Sequence, residues 1–337
     1  MGFSRAGGSH AGFSYAEIVM LEGRIDPSVV YEGPRARIAT LTGSPVWGLG
    51  DRFAAFAERH GYRLRGIHRP MTPYGLGPQV EAYEASSGAP VLRIPSYGMV
   101  AGEDWSLRAA EWKVFWILWR AGVEVVLVGG TSGTCDWREG EEAVRPGDLV
   151  LPWSYFSLDT IPSGLPGTEL ENVLGERVAL MNEPFCPSLA RELIREVAAL
   201  DTTRFRRVHG QDARVVLHRW QYGAAFESAG HSLFLREYGR SIGSPVITGD
   251  CVSPVLARVC GMHLGYYHVP SNWAEGLRPQ DLTGSLDALY LETLPEVAAT
   301  LELRLLARLA TPADCRCREL LRPRPPEYRR ALSPPAN

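Results

Sequence analysis

The stretch Val123-Glu124-Val125-Val126-Leu127-Val128-Gly129-Gly130-Thr131-Ser132-Gly133-Thr134 says most about how this chain folds. An apolar, β-branched run interrupted only by Glu124 is close to the signature of a strand covered on both faces, as in sheets coated by helices. It ends in Gly129 to Thr134, a glycine and hydroxyl cluster that reads as a polar segment at the strand's carboxyl end. Just upstream, Ala109 to Ala121 predicts a helix. Trp112, Phe115, Trp116 and Trp119 recur at i, i+3, i+4 and i+7, and Gly122 supplies the stop. That aromatic stripe reads as core packing.

Working outward, Arg37 to Leu41 predicts a short strand running into the turn Thr42-Gly43-Ser44-Pro45. Downstream, Arg145-Pro146-Gly147-Asp148 turns into Leu149-Val150-Leu151, and Ser188 is placed to cap a helix through Leu200. Ala213 to Tyr222 reads as a strand, Ser228 to Tyr238 as a capped helix, Pro245 to Ile247 as a strand, and Pro254 to Cys260 as a helix. Leu264 to Val269 is a further strand, and Thr283 to Leu309 a long closing helix with a break point at Pro295. Strands alternating with helices predict an α/β sheet covered by helices. We assign residues 1–35 to an N-terminal extension, 36–311 to a single domain and 312–337 to a Pro/Arg-rich tail.

With 337 residues, 45% of them hydrophobic and 22% charged, the chain can bury a large core. Its 35 basic and 38 acidic residues are interleaved, so nothing in the charge pattern fits a nucleic acid or a membrane surface. The six cysteines lack repeated Cys-x-x-Cys spacing, and the eight histidines, including His263 and His268, lack metal-ligand spacing. Reduced thiols, no metal and no cofactor are the expectation. Neither a signal-length apolar segment at the start nor an uncharged 18-residue apolar run is present, which points to a cytoplasmic protein.

Two motifs fail on context. Gly239-Arg240-Ser241-Ile242-Gly243 has the spacing of a nucleophile elbow but follows a helical stretch, and the glycines at 129–133 lack the Gly-Lys-Ser/Thr of a Walker loop. What remains is a set of strand ends rich in hydroxyls, amides and glycines: Gly43-Ser44, Gly130-Thr131-Ser132, Tyr222-Gly223, Thr248-Gly249-Asp250 and Ser271-Asn272. Loops leaving the carboxyl ends of strands converge on one crevice, so these predict a single polar pocket.

Several segments in this order resemble the trimeric purine nucleoside phosphorylase and methylthioadenosine phosphorylase family. They are Val123 to Gly133, Arg145 to Val150, Asn182-Glu183-Pro184-Phe185-Cys186-Pro187, Ser253-Pro254-Val255-Leu256-Ala257-Arg258 and Ser271-Asn272-Trp273-Ala274-Glu275-Gly276-Leu277. The resemblance covers roughly residues 36 to 310. It implies a twisted mixed β-sheet surrounded by helices, a homotrimer, and cleavage of purine N-glycosidic bonds by inorganic phosphate as co-substrate. By the same resemblance Asn272 meets the purine, with Asn leaning toward 6-oxopurines; Phe226 stacks on base or pentose; Gly130 and Thr131 contact nucleoside and phosphate; and Ser44 holds the hydroxyl of the first phosphate loop.

The departures are as informative. Pro45 replaces a glycine of that loop, and Ser96-Tyr97-Gly98 aligns with the family's Arg-His phosphate ligands. Gly249 and Asp250 stand where the family has Met and then Ser or Thr, and Tyr222 stands at the position of a purine-side Glu. Arg59, Arg63, Arg65, Arg69 and Arg93 are the candidates to replace the missing cation. The leading expectation is phosphorylase-type pentosyl transfer, with Asn272 and Asp250 as catalytic residues and Ser44, Gly130, Thr131, Tyr222, Phe226 and Thr248 binding the nucleoside. The alternatives are a nucleosidase in which Asp250 activates water, or an impaired nucleoside-binding member working with a paralogue.

Overall fold

The computed structural model describes residues 25–100, 103, 107–159, 161–171, 177–200, 205–220, 225–279, 288–309 and 311–325. In chain order the strands are β1 (Ile38–Thr42), β2 (Tyr62–His68), β3 (Met71–Thr72), β4 (Gly75–Leu76), β5 (Val80–Ala85), β6 (Pro90–Pro95), β7 (Val125–Thr134) and β8 (Leu149–Val150). They continue as β9 (Ser154–Phe156), β10 (Arg177–Ala179), β11 (Val208–His209), β12 (Val216–Arg219), β13 (Val246–Gly249), β14 (His263–Trp273) and β15 (Leu321–Pro323). The helices are α1 (Phe53–Arg59), α2 (Leu107–Arg120), α3 (Pro187–Ala199), α4 (Ala229–Ile242), α5 (Pro254–Val259) and α6 (Leu294–Leu306). Eleven strands form one mixed sheet in the order β11-β8-β14-β7-β1-β6-β5-β2, extended by β13 on β7, β12 on β13 and β9 on β12. Helices surround it, as an α/β chain requires.

The spine is β7. It outruns the strand expected to stop at Val128, because β14 stays paired with it from Val125 to Thr134. The glycines belong to the strand. Without a Cβ at Gly130, the His268 ring of β14 can lie close; a methyl there would meet His268 Cε1 at 2.7 Å. On its other side β7 changes partner. Parallel β1 accompanies it only as far as Thr42 opposite Gly129, and antiparallel β13 joins at Thr248 opposite Gly133. Gly130 to Ser132 therefore edge the gap where one neighbour has left and the other has not yet arrived, the kind of sheet discontinuity where α/β proteins bind ligands.

Helix α2 is buried nearly all round. Phe115 and Trp116 of the aromatic stripe are fully buried, while Trp112 and Trp119 are partly buried against the same cluster. Ile117 and Leu118, off that stripe, are equally inaccessible. Ile117→Ala should therefore cost about 2–3 kcal/mol of unfolding free energy by urea titration. A loss under about 0.5 kcal/mol would mean that this face meets solvent.

Local signals explain most helix limits. Ser228 caps α4 by accepting from the His231 N–H at 3.4 Å, and Gly243 ends it at φ 65°. Ser241, inside α4, donates to the Tyr238 carbonyl at 2.7 Å, as expected for a helical turn and not for a nucleophile elbow. Helix α3 starts two residues earlier than expected: Cys186 is its N-cap, and the Ser188 hydroxyl turns to Asp314 at 2.6 Å instead of capping. Of the long closing helix expected from Thr283, residues 283–287 lie outside the described residues. Leu289 to Thr293 form a π-turn that passes into α6, with Pro295 in its first turn, where a missing N–H costs nothing.

Candidate functional site

Hydroxyl groups from four distant segments meet at the gap along β7. Ser44 opens the 3₁₀ turn Ser44–Arg52 directly after β1, and its Oγ lies 2.5 Å from Thr131 Oγ1. Tyr290, on the π-turn, donates to Thr131 Oγ1 at 3.1 Å, and its hydroxyl is 2.7 Å from Ser271 Oγ. Ser271 in turn donates to Asn272 Oδ1 at 3.0 Å, while Asn272 Nδ2 donates to the Trp273 carbonyl at 2.9 Å. Three predicted residues, Ser44, Thr131 and Asn272, are thus joined in one hydrogen-bonded series, with Gly130 in the backbone beside them. A β-bulge between Pro270 and Asn272 sets Ser271 apart in the β14 ladder.

Asp250 closes the other flank. Gly249 follows the antiparallel β13–β7 register back along β7, and a Cβ placed on it would overlap the Thr131 carbonyl, so Asp250 leaves the sheet beside Thr131. Desolvation pushes the Asp250 carboxyl up to about 6, with the Arg219 guanidinium pulling the other way. Arg219, at the end of β12, is paired with Gly249 across the sheet and forms a buried 2.7 Å ion pair with Glu111 of α2. His268 receives the same desolvation in the opposite sense: burial drops its imidazole to about 3, so it stays neutral, with Nδ1 3.1 Å from the Thr131 carbonyl.

No protein-family model and no curated protein matches this chain. Solved structures do. A methylthioadenosine phosphorylase from an antarctic soil metagenomic library superposes with a TM-score of 0.63 at 19% identity, over 88% of this chain and 95% of that one. A Schistosoma mansoni methylthioadenosine phosphorylase in complex with adenine gives 0.58 at 17% identity, over 81% and 91%. The same enzyme in complex with tubercidin gives 0.58 at 16% identity over the same shares. The fold is that of the nucleoside phosphorylases.

Within this nucleoside phosphorylase fold, the place expected for the Arg-His pair holds an aromatic ring. Ser96 and Tyr97 both sit at left-handed φ, 53° and 56°, followed by Gly98 at 79°. Two consecutive non-glycine residues in that region cost about 1–3 kcal/mol each and persist only where the surroundings hold them. The hold is visible. The fully buried Tyr97 donates its hydroxyl to the Gly129 carbonyl at 2.8 Å, and its ring lies where a Cβ on Gly43 would otherwise project. The Gly43 N–H is itself spent on the Gly129 carbonyl at 3.2 Å.

The arginines considered as substitutes lie elsewhere. Arg93 is buried with Glu81 at 2.8 Å and stacks over Phe53 at 3.7 Å. Arg65 pairs with Glu84, Arg69 with Glu103, and Arg59 lies over Phe56. Arg63 and Arg65 belong to β2, four strands from β7, or about 19 Å at the usual strand spacing. Among the described residues the guanidinium that acts on Asp250 is instead that of Arg219. Its signal in the sequence is a charge inside the apolar run Val215 to Trp220.

Other predicted binders separate from the series. Phe226 is 72% exposed. The buried Thr248 turns its hydroxyl to His218 Nδ1 at 3.0 Å, on the face of β13 that also carries Val246 of the Val216/Leu235 cluster. Tyr222 lies outside the described residues. Ser271, expected at the polar pocket as part of the Ser271-Asn272 strand end but given no role of its own, and Tyr290, not expected there, complete the series. Ser271 is signalled by its neighbour Asn272, and Tyr290, from a helix late in the chain, has no local signal at all.

Proposed function

We propose that this chain cleaves the N-glycosidic bond of a purine nucleoside by pentosyl transfer in the cleft along Gly130 to Ser132. The observation that carries the reading is the Ser44–Thr131–Tyr290–Ser271–Asn272 series of hydrogen bonds at the sheet discontinuity. Methylthioadenosine and adenine named in the similar structures support a purine ligand. In this reading the Asn272 amide, able both to donate and to accept, takes the purine edge, while the hydroxyls of Ser44 and Thr131 hold the pentose and the nucleophile. Asp250 lies beside the forming cationic sugar, where its ionised form stabilises positive charge.

A second reading, in which water attacks instead of phosphate, draws on Tyr97. Its ring occupies the place where the family resemblance puts two phosphate cations, and the hydroxyls nearby are already bonded to each other. A carboxylate repels phosphate but can orient and deprotonate water.

Incubation with inosine, adenosine and methylthioadenosine, with and without millimolar phosphate, tests both readings. Base released equally in both conditions supports hydrolysis, and phosphate-dependent release with pentose 1-phosphate supports phosphorolysis. Absence of release from every nucleoside refutes the enzymatic proposal. Asn272→Ala should lower turnover about 10- to 100-fold, the worth of one or two hydrogen bonds to the base, with circular dichroism unchanged.

A further inference from the structure

At the opposite pole of the sheet, four soft ligands from three separate segments meet. They are Cys186 at the N-cap of α3, His263 at the first position of β14, and Cys315 and Cys317 from the segment after α6. One ligand atom from each lies within 4.8 Å of every other. His263 Nδ1 is 3.8 Å from Cys186 Sγ and 3.2 Å from Cys315 Sγ. Cys186, His263 and Cys317 are buried and Cys315 partly so.

We propose that Cys186, His263, Cys315 and Cys317 bind one zinc ion in a closed structural site. Tetrahedral zinc with bonds of about 2.3 Å to sulfur and 2.0–2.1 Å to nitrogen sets sulfur atoms about 3.8 Å apart and sulfur and nitrogen about 3.6 Å apart. The two sulfur–nitrogen separations bracket that value, and contraction of less than about 1 Å brings the widest pair to it. Three thiolates and a neutral imidazole around a divalent ion leave one negative charge, which needs a partner when buried. Arg258 supplies it: the buried guanidinium of α5 donates to the Cys317 carbonyl and to the Glu183 carbonyl, each at 2.5 Å.

Four protein ligands leave no open position, so the ion serves the fold and not the reaction. His263 is also nine residues before Asn272 on one strand, about 30 Å from the hydroxyl series. The ion's task is to fasten the segment after α6. That segment buries little apolar surface beyond Cys317 and Leu320, and is otherwise held by exposed pairs such as Arg191–Asp314 and by the short β10–β15 ladder. Linear spacing conceals the site because Cys186 and His263 are 77 residues apart and only Cys315-Arg316-Cys317 is contiguous.

The full chain, purified under reducing conditions without chelator, should carry about one zinc per chain by elemental mass spectrometry. Cys315→Ser/Cys317→Ser should reduce that at least about tenfold. Should this variant not fold, wild-type protein stripped with chelator and titrated with cobalt(II) serves instead: thiolate–cobalt charge-transfer and tetrahedral d–d bands are expected, saturating at one equivalent. Chelation should also lower Tm by several degrees and strip hydrogen-exchange protection from residues 314–320 before the β7 amides. Folded, reduced protein that takes up neither metal overturns the proposal. So does an intact mass short by two hydrogens, from a disulfide among these cysteines, with no metal uptake after reduction.

Discussion

Asp250→Asn should reduce release of purine base by about 10²–10⁴-fold if water is the nucleophile, the usual worth of a positioned general base. The amide keeps the size and hydrogen-bonding shape of the side chain but cannot accept the proton that water loses as the sugar turns cationic. The wild-type pH profile carries the same signature. Desolvation raises the carboxyl from 3.8 to about 6 in the folded chain, so the active, ionised form disappears below that pH. The rate should fall with unit slope on the acid side and flatten above it. Stability moves in the opposite sense. A carboxyl whose folded pKa exceeds its unfolded value favours the fold while protonated, so its contribution declines as pH rises from about 4 to about 6 and is level thereafter. In Asp250→Asn both trends should vanish. Activity retained within about threefold would remove Asp250 from the chemistry.

Arg219→Met should cost about 3–5 kcal/mol of unfolding free energy, the usual loss when one partner of a buried ion pair is removed. The partner left behind, Glu111, is fully buried. It accepts from the Ser253 N–H at 2.5 Å as well as from Arg219, and burial already pushes its carboxyl upward. Removing the cation strands that acid in the core. The double variant Glu111→Leu/Arg219→Met should recover most of the loss, because a buried ion pair replaced on both sides is near neutral. Urea titration of the single and double variants separates the two cases; equal losses would mean that Arg219 matters through packing alone. The double variant also reports on the site. Without the opposing guanidinium, Asp250 is left to desolvation, and the acid limb of the rate profile should move to higher pH.

Much of the fold was legible before any coordinate. The strand from Val125, the helix at 107–120, the turn at Gly147 with φ 86° and the Ser228 cap all lie where periodicity and capping chemistry put them, because each depends on neighbours within a few residues. Strand ends were less legible. The glycine cluster reads as a loop locally, yet β14 and β13 keep it in the ladder, a contribution that no local propensity contains.

The candidate site divides along the same line. By itself the sequence determined that hydroxyl- and amide-bearing strand ends exist at Ser44, Thr131 and Asn272, since strand direction and turn chemistry are local properties and a sheet gathers such ends at one edge. Only the tertiary structure decided what completes or closes that edge. Tyr290 arrives from a turn more than 150 positions away, Arg219 is held near Asp250 by a partner on α2, and Tyr97 fills, from a left-handed bend, the place expected for the Arg-His pair. Cys186, His263 and Cys315-Arg316-Cys317 become neighbours only when three segments pack. Such encounters depend on packing between residues far apart in the chain, and spacing along one chain carries no record of distance across a core.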